Sequence, residues 1–97
     1  MKILSYNINR SNQTKVDKVL AMDADIMVLP ECAVQSQIQL PQGYEMTWMG
    51  LASICDWKGL GVIWKDNIKI SVAPWFNEEH KYILPLLVND DFLLITA

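Results

Sequence analysis

Residues 2–9 largely alternate between apolar and polar side chains. Leu4, Tyr6 and Ile8 occupy every second position, and this period of two predicts a strand. Side chains two positions apart share one face of a strand, so Asn7 and Asn9 are expected on the same face at its end.

The next segment has apolar residues at helical spacing. Val16, Val19 and Leu20 fall on one side of a helix that we predict over residues 13–22, and Ser11 or Asn12 is placed to cap its start. A continuous apolar run over residues 26–29 then predicts a strand covered on both faces. This strand is expected to stop at Pro30, with Glu31 directly behind it.

A strand, a helix and a second strand form a βαβ unit, in which the two strands run parallel. Their carboxyl ends lie on one rim of the sheet, and open α/β sheets bind ligands at such a rim. Asn7, Asn9 and Glu31 are therefore expected to converge there.

The rest of the chain is predicted to be mostly strands, over residues 44–48, 60–64, 68–73, 82–88 and 92–96. Asn89, Asp90 and Asp91 are placed at the tip of a hairpin between the last two. The fold class is therefore α/β (α+β). No turn or polar tail follows the last strand before Ala97, and this ending favours a truncated domain.

Composition places the chain among globular proteins. Its 97 residues, 52% hydrophobic and 20% charged, allow one compact domain or part of one. A formal net charge of -3 disfavours tight nonspecific binding of nucleic acid. Phosphate recognition stays open, because a divalent cation can supply the missing positive charge.

The cysteines and the N-terminal residues help to predict the cellular compartment of the protein. Cys32 and Cys55 lack the close spacing of zinc or redox motifs and are expected to be buried, reduced thiols. The chain has no signal-peptide stretch, and no run approaches the roughly 20 apolar residues of a membrane span. We expect no membrane span and a cytoplasmic location, unless a signal segment has been removed upstream.

Asn7, Asn9 and Glu31 carry the oxygen ligands that Mg²⁺ prefers. The ion is commonly held by one or two carboxylates, with waters and phosphate oxygens completing its octahedron. A carboxylate after a buried strand is, however, more often the first exposed residue of a loop. The pattern alone therefore favours the loop interpretation over a metal site.

Four segments resemble, in order and spacing, motifs of the endonuclease/exonuclease/phosphatase superfamily. Residues 5–9 (Ser-Tyr-Asn-Ile-Asn) resemble its opening strand, and residues 25–31 (Asp-Ile-Met-Val-Leu-Pro-Glu) resemble its second motif. Residues 59–64 resemble its Gly-rich strand, and residues 92–96 resemble the strand that leads to the next catalytic motif. Pro30 stands where the family usually has Gln, and Tyr6 where Trp is commoner; neither departure removes a metal-binding oxygen.

The resemblance implies that residues 1–97 are the N-terminal portion of a DNase I-like domain, a layered α/β sandwich of two packed sheets flanked by helices. It implies a phosphoesterase, nuclease or phosphatase, that needs Mg²⁺ or Mn²⁺ and acts on nucleic acid, a nucleotide or another phosphate ester. Asn7 and Glu31 are then the catalytic candidates. Glu31 would bind the metal, Asn7 the metal or the phosphate, and Asn9 would be a weak or indirect metal contact.

The family's water-orienting Asp/Asn pair and its C-terminal Asp-His pair have no match in this chain. His80 is expected to be an exposed loop residue. We therefore expect the isolated chain to be inactive, and to form a homo-oligomer through a sheet face left bare and an unprotected last strand. The alternative is a self-sufficient, non-catalytic binding or interaction module that shares only the βαβ start.

Several other residues are weaker candidates. Lys58 and Lys65 could reach a substrate phosphate, Lys58 being the better placed, although solvated loop positions are favoured for both. Gly59 and Gly61 indicate a tight turn or close strand packing. Four tryptophans are expected to fill cores rather than stack on nucleobases, with Trp57 the best exception: Trp48, Trp57, Trp64 and Trp75.

Overall fold

The described part of the chain forms two β-sheets and one α-helix. The computed structural model describes residues 1–6, 13–33, 35–49, 59–74, 84–90 and 92–96. The elements in chain order are β1 (Ile3–Ser5), α1 (Gln13–Leu20), β2 (Ile26–Cys32), a short 3₁₀ helix (Gln35–Gln37), β3 (Tyr44–Met49), β4 (Gly59–Lys65), β5 (Ile70–Val72), β6 (Leu84–Val88) and β7 (Phe92–Thr96). The mixed α/β class is confirmed, with far more strand than helix in these residues.

The first sheet has four strands in the order β1-β2-β4-β3. β1 and β2 are parallel, with Ile3 opposite Ile26 and Ser5 opposite Val28, as the βαβ pattern predicts. β4 is antiparallel to both β2 and β3. The carboxyl ends of β1 and β2 therefore lie at one end of this sheet.

The helix is two residues shorter than predicted, because the chain tightens after Leu20. The amides of Met22 and Asp23 donate to the carbonyls three residues earlier, and Asp23 adopts a left-handed φ of 54°. Such a residue ends an α-helix. The predicted caps, Ser11 and Asn12, lie outside the described residues.

The helix packs on one face of the first sheet and closes a core there. Val16 and Val19 are fully buried against Met27, Leu29 and Ile63 of β2 and β4. Burying an aliphatic side chain of this size stabilises a fold by roughly 1.5–3 kcal/mol. This helix-side core holds the helix over the middle of β2.

The second sheet has the order β5-β6-β7 and is antiparallel throughout. Val88 pairs with Phe92, so Asn89 and Asp90 lie in the predicted hairpin turn, both with φ near +55° (54° and 58°). Asn and Asp tolerate this left-handed conformation better than most residues. The Asn89 side chain also accepts a hydrogen bond from the Lys69 amide at 2.8 Å, which ties the turn to the start of β5.

The two sheets close a second core between them. Val28, Val62 and Trp64 of the first sheet are buried in one cluster with Leu86 and Val88 of β6. The bare sheet face from which we predicted self-association is therefore covered, because the second sheet lies on it. Among the described strands, β7 lies at the edge of the second sheet. Sedimentation equilibrium still has to decide the oligomeric state, which stays a prediction.

In the described residues, no helix has the length and apolar character needed to cross a membrane.

Candidate functional site

The carboxyl ends of β1 and β2 meet beside the start of β4. The amide of Tyr6, just after β1, donates to the Val28 carbonyl at 3.0 Å, so the two strands stay paired up to the last described residue before Asn7. Gly59, the first residue of β4, pairs with Cys32. We call this edge, with Tyr6, Glu31 and Gly59, the Glu31 end of the sheet.

Glu31 lies inside β2, which corrects the prediction that the strand stops at Pro30. Leu29 pairs with Gly61 and Cys32 with Gly59, so Pro30 and Glu31 together oppose the single residue Leu60. This arrangement is a β-bulge. The bulge also explains why a proline is tolerated in a central strand. Proline has no N–H to donate, and a bulge is one of the few strand positions where this donor is not needed.

The bulge changes which side chains of β2 enter the core. Met27 and Leu29 face the helix-side core, and strict alternation would place Glu31 on that same buried face. The extra residue gives this place to Cys32 instead, which is fully buried in the helix-side core. The Glu31 side chain is left partly exposed at the end of the sheet.

Glu31 has a left-handed backbone, with φ at 57°. Outside glycine this conformation costs roughly 1–2 kcal/mol, and it persists only where neighbouring contacts impose it. In a β-bulge a left-handed position is usually taken by glycine, so the glutamate at this position carries the cost. Residues with such strained backbones cluster at functional sites, and Glu31 adds a partly exposed carboxylate.

Trp48 and two glycines surround the residue that follows Glu31. The Trp48 indole N–H donates to the Cys32 carbonyl at 2.8 Å. A Cβ placed on Gly59 would lie 2.3 Å from the Trp48 ring, and one on Gly61 would lie 2.8 Å from the Cys32 sulfur. Close packing, one of the two explanations given for Gly59 and Gly61, is confirmed.

The role of Trp48 was missed by the sequence reasoning, which treated it as a core aromatic. Gly59 and Gly61 leave the first part of one face of β4 without side chains, while Trp48 on β3 pairs with Gly61. An aromatic residue opposite a Gly-x-Gly strand was the available signal.

Several candidates cannot be placed. Asn7 and Asn9, the other predicted ligands, lie outside the described residues, as do Lys58, Trp57, His80 and Cys55. Cys32 is buried and is not in a disulfide, as predicted.

The Glu31 carboxylate is the only ligand of the predicted set that the structure describes. No hydrogen bond or ion pair joins it to another described residue. Within the same residues, no three His, Cys, Asp or Glu side chains are grouped to hold a metal ion. One carboxylate is too few for a zinc site, which needs three or four protein ligands. It is compatible with Mg²⁺ or Mn²⁺, which take most of their ligands from water and phosphate.

No family model, curated protein or solved structure matches this chain. The resemblance at residues 5–9 and 25–31 therefore stays a prediction.

The opposite end of the sheet, which we call the Lys65 end, is formed by Lys2, Asp25 and Lys65. The Asp25 carboxylate accepts the Lys2 amide at 2.7 Å, and Lys65 Nζ lies 2.8 Å from Asp23 Oδ1 and 3.7 Å from Asp25 Oδ1. Lys65 thus ends β4 in an ion pair and is not the solvated loop lysine expected.

These contacts shift two pKa values. The hydrogen bond from the Lys2 amide, helped by the charge of Lys65, lowers the pKa of Asp25 below its usual 3.8, although desolvation opposes this. The hydrogen bond to Asp23 raises the pKa of Lys65, with both aspartate charges adding to the effect. Asp23 and Asp25 at the Lys65 end are therefore paired with the Lys65 ammonium group.

Proposed function

We propose that this chain provides the N-terminal metal-binding motif of a DNase I-like phosphoesterase that depends on Mg²⁺ or Mn²⁺. The observation that carries the proposal is the left-handed Glu31 in a bulge at the carboxyl end of the parallel pair β1 and β2. Tyr6, which precedes Asn7, is hydrogen bonded to β2 beside this bulge.

The strain at Glu31 supports a role beyond stability. A conformation that costs free energy is kept where the fold gains something else from it. Here the bulge turns a carboxylate out of the helix-side core without giving it an ion-pair partner among the described residues. A metal ion is a suitable partner for such a carboxylate.

The proposed roles of Glu31, Asn7 and Asn9 follow from the oxygen atoms that their side chains carry. Glu31 would hold the ion, with Asn7 and Asn9 supplying further oxygens. A bound Mg²⁺ would polarise the phosphoryl oxygens and stabilise the leaving oxygen of a phosphate ester. The groups that activate water in the family have no match in this chain. The substrate class stays open among nucleic acid, nucleotides and other phosphate esters.

A titration with Mn²⁺ followed by NMR tests the proposal on this chain directly. Bound Mn²⁺ broadens the amide signals close to it. In the ¹⁵N-labelled wild type we expect selective broadening at Tyr6, Glu31 and Cys32. Glu31→Gln, which keeps the shape of the side chain and removes its charge, should abolish this selectivity.

Glu45→Gln is the matched control. Glu45 is an exposed glutamate on β3, opposite Trp64 and close to the Lys65 end. This variant loses the same charge and should keep the broadening at the Glu31 end. Equal broadening at that end in the wild type and Glu31→Gln would refute the metal assignment.

A non-catalytic binding module is the second candidate function. The observation in its favour is the inter-sheet core, because Leu86 and Val88 already cover the face that a longer domain was expected to cover. The same titration separates the candidates. A chain that folds cooperatively and shows no selective Mn²⁺ effect at Glu31 supports the module.

A further inference from the structure

A side chain on another strand holds the backbone directly after Glu31. Trp48 Nε1 donates to the Cys32 carbonyl at 2.8 Å, and the Cys32 side chain lies against Gly61 in the helix-side core. Cys32 is therefore held by both its carbonyl and its side chain. Since Cys32 follows Glu31 directly, this contact fixes one side of the bulge.

The contact crosses a whole strand. Trp48 is on β3, and β4 separates β3 from β2. Neighbouring strands are about 4.8 Å apart, so the side chain has to span roughly twice that distance. It passes over Gly59, where a Cβ would collide with the ring at 2.3 Å. A side chain at position 59 would therefore block the path of this bond.

Filling the core does not explain the hydrogen bond. Trp64, on the neighbouring strand, is 7% exposed, and its Nε1 has no hydrogen-bond partner within the described residues. A buried indole N–H without a partner among the described residues is thus tolerated at one tryptophan. At Trp48 the N–H is directed to the carbonyl that follows the candidate ligand.

We propose that Trp48 is a positioning residue, which holds the Glu31 bulge in its left-handed conformation by bonding the Cys32 carbonyl over Gly59. Its consequence for metal binding rests on the function proposed above, whereas its effect on the backbone does not. The test therefore has one readout for each.

Trp48→Phe removes the N–H and keeps an aromatic ring. The backbone readout is the three-bond HN–Hα coupling of Glu31, which reports φ and should move toward the value of an extended residue. The second readout is the Mn²⁺ concentration that broadens the Glu31 amide. We expect it to rise about 10-fold, as when an outer partner of a metal ligand is lost.

Trp64→Phe is the matched control, because it makes the same change at an N–H that bonds no described residue. It should leave both readouts at Glu31 unchanged. Gly59→Ala is the second test variant, since its methyl group displaces the Trp48 ring and should shift the Glu31 coupling in the same direction.

The wild type gives an answer even if the variants do not fold. A through-hydrogen-bond coupling between Trp48 Nε1 and the Cys32 carbonyl carbon is expected, and its absence would overturn the proposal. An unchanged Glu31 coupling in Trp48→Phe would overturn it too. If the coupling shifts but wild-type and Glu31→Gln proteins respond alike to Mn²⁺, the positioning role stands and the metal function fails.

Discussion

The carboxylates at the two ends of the first sheet differ in whether they are paired. At the Lys65 end, Asp23 and Asp25 are both within ion-pair distance of Lys65, and Asp25 also accepts the Lys2 amide. At the Glu31 end, a single carboxylate makes no such contact in the described part of the chain, and its backbone is strained.

The two ends therefore differ in whether their contacts pair charges or hold a strained backbone. Paired charges and backbone hydrogen bonds at the Lys65 end hold the start of β1 to β2 and β4. The contacts at the Glu31 end instead keep an unfavourable conformation in place, through Trp48, Cys32 and Gly59. We therefore expect the Glu31 end, and not the Lys65 end, to affect metal binding.

Removing the Glu31 carboxylate should have the largest effect. In a protein with the complete site, Glu31→Ala is expected to lower the rate of metal-dependent phosphate-ester hydrolysis by orders of magnitude, because it removes the carboxylate that would hold the metal ion. Asp25→Asn, at the other end, should leave the rate nearly unchanged. Steady-state kinetics with Mg²⁺ and with Mn²⁺ checks both, and equal rates in wild type and Glu31→Ala would contradict the assignment.

Gly59→Ala should destabilise the fold by about 1–3 kcal/mol, as overpacking usually does. The new methyl group would meet the rigid Trp48 ring at 2.3 Å. Gly61→Ala is the comparison, since its methyl group would meet its neighbours at longer distances: Cys32 Sγ at 2.8 Å, Cys32 Cβ at 3.0 Å and Met46 Cε at 3.2 Å. Urea unfolding should show the larger loss for Gly59→Ala; the reverse order would be inconsistent with the described packing.

The strain at Glu31 should determine which of two variants, Glu31→Gly or Glu31→Ala, is the more stable. At an ordinary strand position glycine is less stable than alanine by about 0.5–1 kcal/mol. At Glu31 the left-handed backbone reverses this preference, so Glu31→Gly should be more stable than Glu31→Ala by about 1 kcal/mol. Thermal unfolding of these two variants, with Glu45→Gly and Glu45→Ala as the control pair, measures both signs. The same sign at both positions would show that Glu31 is not strained.

The βαβ unit and the hairpin were predictable because both follow from local periodicity and turn chemistry. Leu4 and Val19 fall at positions that match the period of the strand and the helix they occupy, and Asn89 suits a left-handed turn position. The bulge was not predictable from the apolar run before it, because one inserted residue changes no pattern within residues 26–29. Pro30 in a central strand was the only local hint. The bond from Trp48 to Cys32 and the cover of Leu86 over the first sheet depend on tertiary packing, which periodicity does not encode.

The smallest effect concerns pH and the Lys65 end. The folded state lowers the pKa of Asp25, so this group stabilises the fold above pH 3.8, its ordinary pKa, and the contribution is lost as pH falls through the lowered value. Asp25→Asn should therefore lose less unfolding free energy than the wild type when the pH is lowered below about 4. Urea titrations of both proteins at several pH values measure this difference. Identical acid dependence in Asp25→Asn and wild type would rule out this role for Asp25.

The most direct measurement compares the two ends in one sample of the wild-type chain. The Lys65 end has two neighbouring carboxylates and the Glu31 end has one, so binding by carboxylate number alone would favour the Lys65 end. We predict that substoichiometric Mn²⁺ first broadens the amides of Tyr6, Glu31 and Cys32 and leaves those of Asp25 and Lys65 sharp. Broadening that begins at Asp25 and Lys65, or equally at both ends, would contradict the assignment of Glu31 as the metal ligand.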